Sequence, residues 1–164
     1  MTAWDRRKII GDALEQRVAD ELRSRAWVVN PWGQGVFEEG IQRALRRTDS
    51  SVRWTPDLVA ARGETVCFID CKANMTGGAR RRHAIERAAV RAHLQLVAWT
   101  DLPVYYVFDD LGVATPYDVL AAGRRGPTSF VGSGAPYYLI STSMDRPFDT
   151  VFGPLQQPIA TRAA

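Results

Sequence analysis

The sequence predicts a mixed α/β domain, and three observations carry that reading. Ile10, Leu14, Val18 and Leu22 recur every four residues, the apolar stripe of an amphipathic helix. Residues 57–62 and 65–72 are two strand-like runs separated only by Gly63-Glu64, which reads as a β-hairpin. A second helical stripe then leads into the wholly apolar run Val104–Phe108. At 164 residues the chain has the length of one domain.

Taken in order, the first helix is expected over about Asp5–Arg25, with Ala13, Ala19 and Ala26 beside its stripe. On its outer face Arg17 and Glu21 have the spacing of an i, i+4 ion pair. Trp27-Val28-Val29 reads as a short buried strand ended by Asn30-Pro31. Residues 36–47 form a weaker helix interrupted by Gly40, and Thr48–Arg53 is a polar connector. In the hairpin, glycine at the first central position is the preference of a type II′ turn. Gly77-Gly78 opens a flexible link into a long helix, about Ala79–Trp99, with Ile85, Ala89, Ala92, Leu96 and Trp99 as its buried stripe. Asp101-Leu102-Pro103 breaks that helix before the strand Val104–Phe108.

Thr115 offers an N-cap, Pro116 suits the first helical turn, and Asp118 follows, so a short helix runs to Ala122 with Gly123 after it. Residues 124–136 read as loop, including the flexible Gly132-Ser133-Gly134, and Tyr137–Ser141 as an edge strand. The tail beyond Gly153 is expected to fray.

Composition narrows the function classes. The 46% hydrophobic and 24% charged fractions are those of a globular protein, and no apolar run approaches the ~20 residues that span a bilayer. Met1–Lys8 is polar and basic, without the apolar core of a secretory signal. Cys67 and Cys71 are the only cysteines, which excludes a disulfide framework and a four-cysteine zinc site. They fall on one face of their strand and read as core thiols. The expectation is a cytoplasmic, reduced protein. No G-x-x-x-x-G-K-[ST] loop is present, which argues against nucleotide-driven chemistry. His83 and His93 lie ten apart on the long predicted helix and do not form a metal pair.

Charge is unevenly placed. Residues 1–100 carry 17 Lys/Arg against 12 Asp/Glu, whereas residues 101–164 carry 4 against 6. A basic N-terminal part and an isoelectric point near 9.1 fit a polyanionic partner. Lys8 and Lys72 are the only lysines among 21 basic residues, so each draws notice in an arginine-dominated chain.

The hairpin is where chemistry concentrates. With Gly63-Glu64 as the loop, Arg62 faces Thr65, Ala61 faces Val66, and Asp57 faces Asp70. Directly opposed residues have Cβ atoms roughly 4.5–5.5 Å apart, and like charges there repel. That spacing also suits two carboxylates that share one hard divalent cation. Period two places Lys72 on the face of Asp70, while Ile69 and Cys71 point to the other. The rest of the strand, Val66-Cys67-Phe68-Ile69, looks buried on both faces, and buried charges are rare unless paired or bound to metal. A same-face ion pair of Asp70 with Lys72 is the structural alternative. On the first helix, Glu15 borders the apolar stripe and has no cation three or four positions away.

These residues carry a resemblance. Thr55-Pro56-Asp57-Leu58 followed by Ile69-Asp70-Cys71-Lys72 resembles the motif of the PD-(D/E)XK nucleases, the restriction-endonuclease-like superfamily. Gly11-Asp12-Ala13-Leu14-Glu15, Arg25-Ala26-Trp27, Leu96-Val97-Ala98-Trp99 and Pro103-Val104-Tyr105 are similar to the archaeal-type Holliday junction resolvase branch. Residues 31–54 are longer than that branch leads one to expect, and the segment after Asp110 has no assigned counterpart.

The resemblance implies an αβββαβ core, a central mixed sheet flanked by helices. It implies a single nuclease domain over 1–153, with its core at about 5–110, a C-terminal helix and strand extension over 115–153, and a tail over 154–164. It further implies Mg²⁺ or Mn²⁺ held by Asp57, Asp70, the backbone carbonyl of Cys71 and Glu15, directly or through water. Lys72 would orient or deprotonate the attacking water, or stabilise the transition state. The expected activity is DNA endonuclease cleavage that leaves 5′-phosphate ends, on branched or double-stranded DNA. A homodimer is expected, because cutting two strands symmetrically needs two sites.

Arg80, Arg81, Arg82, Arg87 and Arg91 at the start of the second long helix read as a phosphate-backbone clamp, aided by the helix N-terminus. Arg43, Arg46 and Arg47 form a second candidate patch, and Arg6-Arg7-Lys8 a basic N-terminal end. Two other readings keep the fold: a non-catalytic nucleic-acid-binding module, and a flap or single-strand nuclease of DNA repair or phage DNA processing.

Overall fold

The computed structural model describes residues 3–77, 81–126 and 135–156, with side chains from residue 8 onward. Helix α1, Ala3–Arg23, buries Leu14, Val18, Ala19 and Leu22 on the expected stripe. Fully burying one such leucine or valine stabilises by about 1.5–3 kcal/mol, so Leu14, Val18 and Leu22 dock the helix firmly. The sheet beneath it contains β1 (Val28–Pro31), β2 (Leu58–Arg62), β3 (Thr65–Lys72), β6 (Val104–Phe108) and β7 (Val113–Ala114), in that spatial order. It is mixed: β3 and β6 run parallel, and the other neighbours antiparallel.

The hairpin register is as the loop length dictates, with Leu58 opposite Ile69 and Arg62 opposite Thr65. Gly63 has φ +59° and Glu64 stays at negative φ, the pattern of a type II′ turn. Side chains alternate faithfully along the central strands. Cys67, Ile69 and Val107 join the α1 side of the core, together with Trp27 and with Phe148 and Phe152 of α5 (Phe148–Phe152). Tyr106 and Phe108 face the other way, toward Val90 of α3 (Arg87–Thr100) and Val119 of α4 (Pro116–Ala122). The layers are thus α1 and α5, the sheet, then α3 and α4. The order α1, β1, β2, β3, α3, β6 is the expected αβββαβ.

On the α3 side lies a second, smaller sheet that sequence patterning did not predict. It is made of β4 (Thr76–Gly77), β5 (Arg82–Glu86), β9 (Tyr137–Ser141) and β8 (Arg124–Arg125), in that spatial order. The second long helix therefore begins at Arg87 and not near Ala79. Arg82–Glu86 is a strand because β9 pairs with it over its whole length, from Arg82 with Ser141 to Glu86 with Tyr137. For the same reason Tyr137–Ser141 is an interior strand and not an edge. Residues 124–125 pair with it as well, while Gly132-Ser133-Gly134 lie outside the described residues.

Smaller departures have equally local causes. β1 is the edge strand, so only Val29 is buried and Val28 is 73% exposed. Residues 36–47 hold a helix, α2, of only Glu39–Leu45, which buries nothing. The connector contains a 3₁₀ turn at Ser51–Trp54, capped by the Ser50 hydroxyl. α3 ends at Asp101 in the left-handed region, φ 57°, as the Asp-Leu-Pro break implies. Its stripe is shorter than expected, with Ala89 and Ala92 buried but Trp99 83% exposed. Glu21 pairs with Arg25 rather than Arg17, because Arg25 is buried at the helix exit and Asp149 engages it from the other side. Arg17 instead donates to the Asp109 carbonyl. Among the described residues no helix is long and apolar enough to cross a membrane.

Candidate active site

The open end of the β2–β3 hairpin brings four of the predicted residues together. Asp70 and Lys72 project from β3 toward α3, on the face opposite Ile69 and Cys71. Asp57 immediately precedes β2, and its Oδ2 accepts a hydrogen bond from the Cys71 amide at 2.7 Å. The Lys72 ammonium pairs directly with Asp70 Oδ2 and lies 5.6 Å from the Tyr106 ring centroid. Asp70 is 6% exposed, so this charge lies in the protein and not on its surface. Glu15, half-buried on α1, is within electrostatic reach of both aspartates.

The backbone of Asp57 is held by the insert that precedes the hairpin. Its carbonyl accepts from the amides of Trp32 (2.7 Å) and Gly33 (3.1 Å), while the Trp32 ring packs 5.6 Å from that of Phe68. A Cβ at Gly33 would lie 2.9 Å from the Pro56 carbonyl and 3.0 Å from Asp57 Cα. Gly33 is therefore required by close approach, and it sets where Asp57 sits.

Burial and mutual charge shift the titrations. Burial, then the charges of Asp70 and Glu15, push the Asp57 carboxyl well above the usual range, against Lys72 and the Cys71 amide. Glu15 is raised by burial, then by Asp12 and Asp70. Burial works to lower Lys72, but the charges of Asp70 and Asp57 outweigh it and keep the ammonium above its ordinary value. Three acids facing one lysine form a negatively weighted, partly desolvated cluster, which a divalent cation would neutralise. The donors at hand are carboxylate and carbonyl oxygens, the hard ligands that Mg²⁺ and Mn²⁺ prefer. The residues present thus fit the implied ion.

The thiols behave as core groups. Burial pushes Cys67 up to about 12. Cys71, half-buried against the α1 side of the core, is raised by burial and then by the surrounding acids.

His93 is a neighbour that sequence reasoning missed. It lies on α3, buried, with Nε2 2.6 Å from the Trp54 carbonyl and Nδ1 3.0 Å from the Tyr106 hydroxyl. The carbonyl can only accept, so Nε2 carries the proton and the Tyr106 hydroxyl donates to Nδ1. Burial lowers the His93 pKa, with Lys72 assisting and Asp70 opposing, so the ring is neutral. Nδ1 is 4.0 Å from Asp70 Oδ2. The one available signal was a histidine set within the apolar stripe of a helix.

His83 is not on that helix at all. It is buried on β5, stacked 3.5 Å from the Phe108 ring, with Nε2 2.7 Å from Asp145 and Nδ1 2.6 Å from Thr76. Among the described residues, His83, Asp110 and Asp145 are the group of three whose ligand atoms lie within 4.8 Å of one another. Glu15, Asp57 and Asp70 do not meet that spacing.

The predicted arginine clamp is divided. Arg80 lies outside the described residues. Arg81, at φ 41° before β5, is exposed and 3.7 Å from Asp110, and Arg82 belongs to β5. Only Arg87 and Arg91 are on α3, one turn apart, and both line a groove with Arg53 and Trp54. Of the second patch, Arg43 is paired with Glu39 on the exposed helix α2.

No protein-family model and no curated protein matches this sequence. Among solved structures, the chain is similar to Hjc, a Holliday junction resolvase from the archaeal hyperthermophile Archaeoglobus fulgidus. The TM-score is 0.57 at 13% identity, over 90% of this chain and 98% of that one. It also aligns with D212, a nuclease from a fusselovirus, at a TM-score of 0.49 and 13% identity, over 93% and 91% of the two chains. The likeness to Hjc shows the fold: a restriction-endonuclease-like arrangement with a central mixed sheet and flanking helices. It extends well beyond the segments that carry the sequence resemblance.

Proposed function

We propose that this protein is a metal-dependent DNA endonuclease that hydrolyses phosphodiester bonds and leaves 5′-phosphate ends, acting on branched DNA of the Holliday junction type. The observation that carries the reading is the convergence of Asp57, Asp70 and Lys72 at the open end of one hairpin, in the fold that Hjc shares. Asp57, Asp70 and the Cys71 carbonyl would hold Mg²⁺ or Mn²⁺, with Glu15 acting through water. Such an ion, when bound, acidifies a water and offsets charge on the scissile phosphate.

The chain's own residues supply the rest. Lys72, kept as an ammonium by Asp70 and Asp57, donates hydrogen bonds that orient the attacking water and stabilise the charge that grows on the phosphate. A protonated amine does not serve as the base, so of the roles expected for Lys72 the electrostatic one is favoured. Asp70 fixes the Lys72 ammonium, and the Cys71 amide fixes Asp57, so the charged groups are oriented before substrate arrives. Asp70 and Lys72 are largely buried, which strengthens the interaction between them. Symmetric cleavage of two strands would require two copies of the chain.

The test is a panel of end-labelled DNAs (four-way junction, flap, duplex and single strand) incubated with Mg²⁺, Mn²⁺ or EDTA. The reading expects cation-dependent cutting, strongest on the four-way junction, with 5′-phosphate products. Preference for the flap or single strand would move the substrate and keep the chemistry. Binding without cutting under every cation would leave a non-catalytic module of the same fold.

A further inference from the structure

Beside the catalytic hairpin, α3 and the connector before Asp57 enclose a groove of about 700 Å³, the size of pockets that accept a molecule of nucleotide dimensions. Its walls combine charge with aromatic faces. Arg53, Arg87 and Arg91 line it against one acid, Asp49, and so do Trp54 and Tyr138. Each ring carries a guanidinium: Arg53 lies 5.5 Å from the Trp54 centroid, and Arg87 lies 5.4 Å from that of Tyr138. Arg91 is exposed and makes no ion pair among the described residues. Cations suit phosphates, and aromatic faces suit bases that are free to stack. The bases of an intact duplex are stacked on one another and cannot use such faces.

The groove shares a wall with the active site. Glu86, adjacent to Arg87, lies close enough to act on Lys72. The carbonyl of Trp54, three residues before Asp57, accepts a hydrogen bond from His93 Nε2, and His93 approaches Asp70. The groove therefore lies next to the acids that would hold the ion, with Trp54 and His93 between them.

Resting on the nuclease reading, we infer that this groove binds nucleotides left unpaired where the branched substrate opens at its branch point, stacking bases on Trp54 and Tyr138 while Arg53, Arg87 and Arg91 hold phosphates. The recognised chemistry is single-stranded nucleic acid next to a duplex.

The test measures binding, in EDTA, of fluorescent blunt duplex and of the same duplex with a short single-stranded overhang, made as DNA and as RNA. Wild-type protein should prefer an overhang by about tenfold, and the better overhang names the strand. Trp54→Ala and Tyr138→Ala should each remove most of that preference and leave blunt-duplex affinity unchanged, while Trp54→Phe retains it. Arg91→Gln should weaken all ligands and lower the salt slope by about one. Circular dichroism identifies any variant that fails to fold, and the other aromatic variant then decides. Wild-type affinity for blunt duplex equal to that for both the DNA and the RNA overhang, or uniform loss in both aromatic variants, would overturn the inference. Because no cutting is read, overhang preference without cleavage under any cation would contradict the nuclease reading alone. Cleavage without overhang preference would contradict the groove alone.

Discussion

At the scale of single residues, Gly33 has a larger role than its type announces. It sits in an insert that reads as an unremarkable linker, yet its missing side chain lets the chain pass within contact of Pro56 and Asp57. Gly33→Ala must push the Asp57 backbone aside, and with it the carboxylate that Cys71 holds. Misplacing a reacting group by an ångström can cost about 10²-fold in rate, so we expect this variant to cut roughly ten- to a hundredfold more slowly while folding normally. Initial rates beside far-UV circular dichroism check it; an unchanged rate would free Asp57 from this constraint. Asp57, Asp70 and Lys72 were legible from the sequence because strand alternation and a two-residue loop leave little choice of which side chains share a face. His93 was not legible, since its partners, Trp54 and Tyr106, are distant in sequence and no periodicity connects them. The aromatic faces of the groove were hidden for the same reason.

At the scale of elements, local chemistry was readable where the element is self-contained. The Thr115-Pro116-Tyr117-Asp118 start of α4 forms a capping box, with the Thr115 hydroxyl bonded to the Asp118 amide and the Asp118 carboxylate to the Thr115 amide. Arg146 pairs with the same carboxylate at 2.7 Å. Burial opposes ionisation of Asp118, but the Thr115 hydrogen bonds and Arg146 prevail and lower its pKa below the ordinary value. The cap's contribution is therefore present above the unfolded-state pKa and is lost as the pH falls through the lowered folded-state value. Asp118→Ala should cost about 1 kcal/mol near neutral pH and progressively less in acid. Denaturant melts at several pH values read this directly; a pH-independent difference would refute the assignment. By contrast, Arg82–Glu86 fits a helical stripe through Ile85 as well as it fits a strand. The choice was made by β9, whose residues lie more than fifty positions away. The second sheet and the division of the arginine clamp follow from that one non-local pairing.

At the scale of the whole molecule, a two-sided core holds a mixed sheet whose central strand, β3, carries Asp70 and Lys72 between α1 and α3. The αβββαβ order was legible because each of its members has its own hydrophobic period. What was added to it, the small sheet and α5, depends on contacts made only after the chain has folded. The fold shared with Hjc and the clustered acids meet at one claim, that Asp70 and Lys72 perform phosphodiester hydrolysis. Single-turnover cleavage of the best DNA of the panel in Mg²⁺ by wild type, Asp70→Ala and Lys72→Ala, each checked for folding and DNA binding, tests it most directly. Both variants are expected to fold and bind DNA yet cut at least about 10²-fold more slowly. Folded variants that cut at the wild-type rate would contradict it.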